Sequence, residues 1–142
     1  MADIYMYIEG MRGDVTLFTI PGWSRVMRFS LGQPHTAISH GSGSIEKVGS
    51  IIRYSDTLTP RIVETMAAGR QVPLIVLYTA TKQEAMTTVI RRCTLTSHSP
   101  AGFAIGDNRP MEAVGFDYEQ VTPLLGTSTD QIMQIFNGPG RR

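Results

Sequence analysis

Cys93 and His98 are the closest approach to a nucleophile-and-base pair in this 142-residue chain. A thiol catalyst needs its base within hydrogen-bond reach. The stretch from 85 to 97 reads as a strand, and residues five apart on a strand point to opposite faces. The other two histidines, His35 and His40, lie far upstream. Cys93 therefore reads as a small buried hydrophobe. Three histidines and one cysteine show no C-x-x-C or H-x-x-x-H spacing, so no metal ligand set emerges. The carboxylates Asp56, Glu64, Asp107, Glu112, Asp117 and Glu119 are scattered along the chain. Asp117 and Glu119 share a strand face and read as a solvated or subunit-contacting pair. Gly10-Met11-Arg12-Gly13 has the spacing of a nucleic-acid clamp, but that loop joins two helices and this one follows a strand. The bland reading is two glycines at positive φ. Gly41-Ser42-Gly43-Ser44 lacks the Lys and the following helix of a phosphate loop. No Gly-x-Ser-x-Gly elbow occurs. Catalytic, cofactor-binding and metal-binding residues are all unassigned, which leaves assembly or binding as the default role and argues against an enzyme.

The elements that would carry any site are strands. Around them sits one short helix, at about 59–68. Thr59 is placed to cap it, Pro60 to occupy its first position, and Gly69 to end it. Ile62 and Met66, with Val63 and Ala67, give it one apolar stripe. Residues 4–9 alternate, with Ile4, Met6 and Ile8 on one face. In 23–31 the odd positions Trp23, Arg25, Met27, Phe29 and Leu31 are mostly large and apolar and predict an inward face, while Ser24, Val26, Arg28 and Ser30 face water or another subunit. Residues 74–78 form an unbroken apolar run, as expected of a strand covered on both faces. One cover would be the core, the other a neighbouring subunit. The strand from 85 to 97 has no clean apolar parity and should bend or bulge midway. In 112–119, Val114, Phe116 and Tyr118 should point one way. Segments 33–49 and 100–110 are rich in Gly, Ser and Pro and read as long loops. The tail 131–136 suits one last strand. The fold class is mainly β: a compact barrel of two antiparallel sheets with one short helix, in a single domain over 1–137, followed by a disordered 138–142.

Composition narrows the partners. The chain is 42% hydrophobic and 18% charged, with net charge +1. That balance argues against an electrostatic grip on nucleic acid or acidic membranes. The eleven aromatic side chains (one Trp, five Tyr, five Phe) are not interleaved with basic residues. One cysteine excludes an internal disulfide. The start, Met1-Ala2-Asp3, lacks the basic and apolar parts of a signal peptide. The longest apolar stretch is far too short to span a bilayer.

Several pieces, in order, carry a resemblance. They are Ile8-Glu9-Gly10 with Gly13-Asp14, Phe29-Ser30-Leu31-Gly32, Asp56-Thr57-Leu58-Thr59-Pro60 through to Gly69, Arg109-Pro110-Met111-Glu112 with Val114-Gly115-Phe116, and Gln131 to Asn137. Together they resemble the haemolysin-coregulated protein family, Hcp, of bacterial type VI secretion, with Leu31 in place of a usual Trp. The resemblance implies hexameric rings that stack into an inner tube, inside a sheath and behind a spike, with effector proteins carried in the lumen. It implies residence in the bacterial cytoplasm before firing, then export without a signal peptide. On the family pattern Arg28 and Ser30 face the lumen and contact effectors; the competing reading is an ordinary solvated strand face. The alternatives are a tail-tube or baseplate protein of a contractile phage-like particle, or a small β-barrel ligand binder or thiol enzyme using Cys93.

Overall fold

The structure is a computed structural model and describes residues 3–13, 22–34, 45–80, 85–103 and 109–125. Among them are β1 (Asp3–Ile8), β2 (Ser24–Pro34), β3 (Ile45–Tyr54), α1 (Thr59–Ala67), β4 (Gln71–Ala80), β5 (Ala85–Phe103), β6 (Pro110–Asp117) and β7 (Gln120–Leu125). Every strand pairing is antiparallel. β1 pairs with β2, β2 with β3, β3 with β6, β6 with β5, β5 with β4, and β4 returns to β1. The belt closes, so the expected β-barrel with one short helix is present, its strands joined in one continuous sheet. β7 carries on where β6 stops, along the same edge of β5. Asp117 pairs with Thr94 and Gln120 with Arg91, so the register runs unbroken past Tyr118 and Glu119. Opposite that break, Arg92 takes φ 54°, a left-handed conformation. This is the expected irregularity in the middle of β5.

The alternation in β1 and β6 behaves as expected. Met6 and Ile8 from β1, and Val114, Phe116 and Tyr118 from β6 and just beyond it, are buried in one interior cluster. Each side chain of that size withdrawn from water contributes about 1.5–3 kcal/mol before entropy is counted. The run in β4 is indeed covered twice. Ile75 and Leu77 point into the barrel, while Leu74 and Val76 join Trp23 and Val89 in a second cluster outside it. Tyr5, Tyr7, Tyr78 and Leu124 pack against this outer cluster, and Tyr7 meets Trp23 with ring centroids 5.6 Å apart. Val76 is 0% exposed within a single chain. The second cover is therefore the protein itself, and the expected role of a neighbouring subunit at this strand is not needed.

β2 departs from the expected parity. Val26 pairs with Arg53, but Arg28 pairs with Ile52, so Met27 is an extra residue in a bulge. A one-residue insertion flips every side chain beyond it. Ser24 and Val26 consequently face inward and Met27 is 41% exposed. After the bulge the expectation is restored: Phe29 and Leu31 pack on the core, and Arg28 and Ser30 are exposed.

The loop assignments were too long. β2 runs on to Pro34, β3 starts at Ile45, and β5 reaches Phe103. Gly49, at the end of the segment 33–49 expected to be a loop, is a strand residue facing the ring of Phe116. A Cβ there would lie 2.5 Å from Phe116 Cζ and 2.8 Å from Leu31 Cδ2. Glycine in a strand can mark such a close approach. Gly10 does take φ 87°. Gly13 serves close packing instead, since a Cβ would sit 2.6 Å from the Trp23 carbonyl oxygen. Expectations for 35–44, 104–108, 131–136 and 138–142 lie outside the described residues.

At α1 the boundary shifts by one residue. Thr59 is the first helical residue and Leu58 occupies the cap position, with no side-chain cap bond. Thr59 Oγ1 instead accepts the Asp56 N–H at 3.0 Å, and Asp56 Oδ1 accepts the Leu58 N–H at 2.8 Å. The chain thus enters the helix through an Asx turn. The exit is as expected: Gly69 at φ 66° donates to Met66, and Arg70 donates to Thr65, which is the Schellman pattern. Leu58 and Ile62 are buried in the barrel's cluster with Met66 against it, whereas Val63 and Ala67 are exposed.

Gly49→Ala should destabilise the protein by about 1–3 kcal/mol through overpacking against Phe116. Urea unfolding would show a lower midpoint at unchanged m-value. An unaltered midpoint would mean that β3 and β6 sit further apart than described.

Candidate functional site

Two arrangements stand out: a buried ionic network, and a bare outer face of the barrel. The network centres on Arg53 of β3, which is 0% exposed. Its position follows from alternation, since Ile51 and Arg53 share the inward face of the strand. Arg53 Nη1 donates to Glu112 Oε2 of β6, and more weakly to Thr59 Oγ1 at 3.5 Å. Nη2 donates to Ser24 Oγ of β2 at 2.5 Å and to Asp56 Oδ1 at 2.6 Å. Glu112, 1% exposed, uses its other oxygen to accept from His98 Nε2 of β5 at 2.9 Å and from Ser55 Oγ at 3.3 Å. One cation thereby joins β2, β3, β6 and the turn into α1, and Glu112 extends the network to β5.

Sequence reasoning missed this network. Glu112 was one of several scattered carboxylates, and no local spacing links positions 24, 53, 56, 98 and 112. The available signal was alternation: Glu112 has the same parity as Val114, Phe116 and Tyr118, and Arg53 the same as Ile51. A charge at an inward position implies a partner charge at another. Burial pushes the Glu112 carboxyl up. The hydrogen bonds from His98 and Arg53, together with the charge of Arg53, outweigh that and hold it below its usual value of about 4.5. The network is a structural tie. It is largely enclosed, and its groups are occupied with one another except for Arg53 Nε, which is buried without a partner.

The suspected thiol chemistry has no site. Cys93 is buried in the interior cluster with its Sγ 3.8 Å from the Ile90 carbonyl oxygen, and burial pushes its thiol up to about 12. A thiol so held is almost entirely un-ionised at neutral pH. His98 is engaged with Glu112 instead. Asp117 and Glu119 are exposed, and Glu119 pairs with Arg92 at 2.8 Å. His35 and His40 lie outside the described residues. Among the described residues, no group of three His, Cys, Asp or Glu is placed to hold a metal ion, and no helix is long and apolar enough to cross a membrane.

The bare face belongs to β2, β3, β6 and the second half of β5. Most of the outward residues there are small, with Arg28 and Ile52 as the larger ones. Ser30 pairs with Ser50, Ser50 with Gly115, and Gly115 with Ser97. Two residues along each strand, Arg28 pairs with Ile52, Ile52 with Ala113, and Ala113 with Ser99. Arg28 and Ser30 are thus adjacent outward positions of one strand. At the end of this face Arg109 stacks over Tyr54, its guanidinium carbon 3.9 Å from the ring centroid. The opposite flank of the barrel carries the Trp23 cluster.

The family described as type VI secretion system effector, Hcp, matches residues 5–123. No curated protein matches the chain significantly. Several solved structures share the fold. Hcp1 from Salmonella typhimurium superposes with a TM-score of 0.71 at 17% identity, covering 87% of this chain and 86% of that one. A type VI secretion system effector from Yersinia pestis gives 0.69 at 16% identity, with 85% and 86% covered. The secreted protein Hcp3 from Pseudomonas aeruginosa gives 0.68 at 16% identity, with 89% and 92% covered.

Arg53→Met should cost about 3–5 kcal/mol, because it leaves two carboxylates without their counter-ion. The double variant Arg53→Met/Glu112→Leu should cost less. Acid should also weaken the wild-type protein. A carboxyl held low in the folded state contributes stability above its unfolded value, and that contribution disappears as pH falls through the folded value. Urea titrations between neutral pH and about pH 3 would register this loss. The double variant should show a shallower acid limb. Equal limbs in the two proteins would remove Glu112 as the cause.

Proposed function

The chain belongs to the type VI secretion system effector family, Hcp, and from that membership we propose that it is the structural subunit of the system's inner tube. Six copies close into a ring, rings stack into the tube, and the tube is propelled with its spike when the surrounding sheath contracts. Effector proteins ride in the lumen. The subunit is a single barrel domain, acts without catalysis, waits in the bacterial cytoplasm, and leaves through the secretion system itself.

The observation that carries this reading is the family match across residues 5–123, which spans nearly the whole closed barrel. The two-sided construction of the barrel agrees with it. One flank is occupied by the chain's own aromatic cluster. The other offers a surface of Ser, Gly and Ala around Ile52, with Arg28 and Ser30 at one side, suited to lining a channel through which folded cargo must pass. We assign the lumen to this flank and effector contact to Arg28 and Ser30.

Negative-stain microscopy and native mass spectrometry of the purified protein should show six-membered annuli. A particle that stays monomeric at high concentration would overturn the reading. Ser30→Arg should leave the annuli intact and lower the amount of effector that co-purifies with them. Loss of the annuli in that variant would move Ser30 from the lumen to a subunit contact.

A further inference from the structure

The barrel's two flanks meet along two boundaries. One falls between β1 and β2, the other between β5 and the line of β6 and β7. Going round the belt, β2, β3 and β6 separate them one way, and β1, β4 and β5 the other. The boundaries therefore lie on opposite sides of the molecule. Each carries an exposed ion pair. At the first, Arg25 of β2 donates to Asp3 Oδ1 of β1 at 2.7 Å, with its guanidinium carbon 6.0 Å from the Tyr5 ring centroid. At the second, Arg92 Nε of β5 donates to Glu119 Oε1 at 2.8 Å. All four side chains are more than half exposed. Each boundary also exposes a large apolar side chain, Met27 beside the first and Val121 beside the second. Resting on the ring reading above, we propose that these boundaries are the two halves of the contact between copies of this chain, so that Arg25 and Asp3 of one copy meet Glu119 and Arg92 of the next.

A ring built from one kind of subunit needs two different patches on opposite sides of each copy. They must stand at the same height, or the assembly winds into a helix instead of closing. The strand pairings supply that match. Beside Arg92, the row through Arg91 runs across Leu74 to Glu9, six residues past Asp3 along the chain. In the other direction, the row through Thr94 runs across Asp117 and Val48 to the neighbourhood of Leu31, six residues past Arg25. β1 and β2 are antiparallel, so the two offsets are equal and opposite. Rows climb in this way because the strands of a barrel are tilted. The Asp3–Arg25 pair sits midway between the two ends of the climb, level with Arg92 and Glu119. The chemistry of the two patches matches as well. An exposed ion pair contributes little within one chain, and its charges stay open to new partners. Set face to face in opposite order, each arginine meets a carboxylate. Met27 and Val121 supply the apolar contact beside them, and methionine and arginine are both favoured in such interfaces. Arg92 holds φ 54°, which glycine takes at less cost; the contact uses the charge that glycine lacks. The arrangement leaves the Ser and Gly flank facing the lumen and the Trp23 flank facing outward.

Native mass spectrometry and negative-stain microscopy of the full chain, over a concentration series, test this contact. Arg25→Glu and Glu119→Arg should each raise the concentration at which half of the protein is annular by about tenfold or more, with an unaltered circular dichroism spectrum. The double variant Arg25→Glu/Glu119→Arg should recover the annuli, since one patch then carries two negative charges and the other two positive ones. Single variants that assemble like the wild type would overturn the proposal, and so would a double variant as weak as the singles; either result leaves the ring itself standing. A wild type without annuli would sink the ring reading and this contact with it. Should a single variant not fold, Asp3→Arg and Arg92→Asp make the same comparison on the other pair, with the same contrary outcomes.

Discussion

Arg53 brings a positive charge into an interior that is mostly hydrocarbon. A guanidinium there is tolerable only if its charge is answered and most of its donors are met. Four acceptors from different parts of the chain serve its two Nη groups, Ser24, Asp56, Thr59 and Glu112, while the buried Nε–H is left without a partner. The requirement constrains more than a few side chains. Ser24 reaches the interior only because the Met27 bulge puts the first part of β2 out of phase with the rest. The Asx turn at Asp56 both starts the helix and presents a carboxylate to Arg53. Register, bulge and turn are thus consistent with one buried charge.

Alternation was a sound guide wherever a strand keeps one parity, as in β1 and in 114–118. It failed where the backbone inserts a residue. Nothing in Trp23, Ser24, Val26 or Met27 marks the bulge, because the large odd positions Trp23 and Met27 simply continue the parity of Phe29 and Leu31. Glycine misled in a different way. Gly49 lies in a segment whose glycines and serines suggest a loop, yet it is small because Phe116 occupies its space, and that neighbour is 67 positions away. The helix was legible from Pro60 and Gly69, with an error of one residue at its start. The ionic network was the least visible part. Its members are linked by the barrel's closure rather than by any short spacing.

The two flanks of the barrel divide its physical tasks. The flank of β1, β4 and the first half of β5 is covered by Trp23 and the tyrosines, giving β4 apolar contacts on both faces. The flank of β2, β3, β6 and the rest of β5 keeps its outer surface small and largely polar. The family assignment and the resemblance to solved relatives at 16–17% identity show that the architecture tolerates extensive sequence change. A closed belt with few demands on its outer side chains would be tolerant in this way.

The closure of β1 to β6 also bears on how the protein meets mechanical load. A sheet with an open edge can peel apart one hydrogen bond at a time from that edge. A cylinder has no such starting point, and a pull or push along its strands must shear many bonds together. β5, the longest strand, is gripped by β4 on one side and by β6 and β7 in succession on the other, so stress entering it is spread over three neighbours. Among the described residues, β7 is the strand held along one side only, and it is where rupture under force would begin.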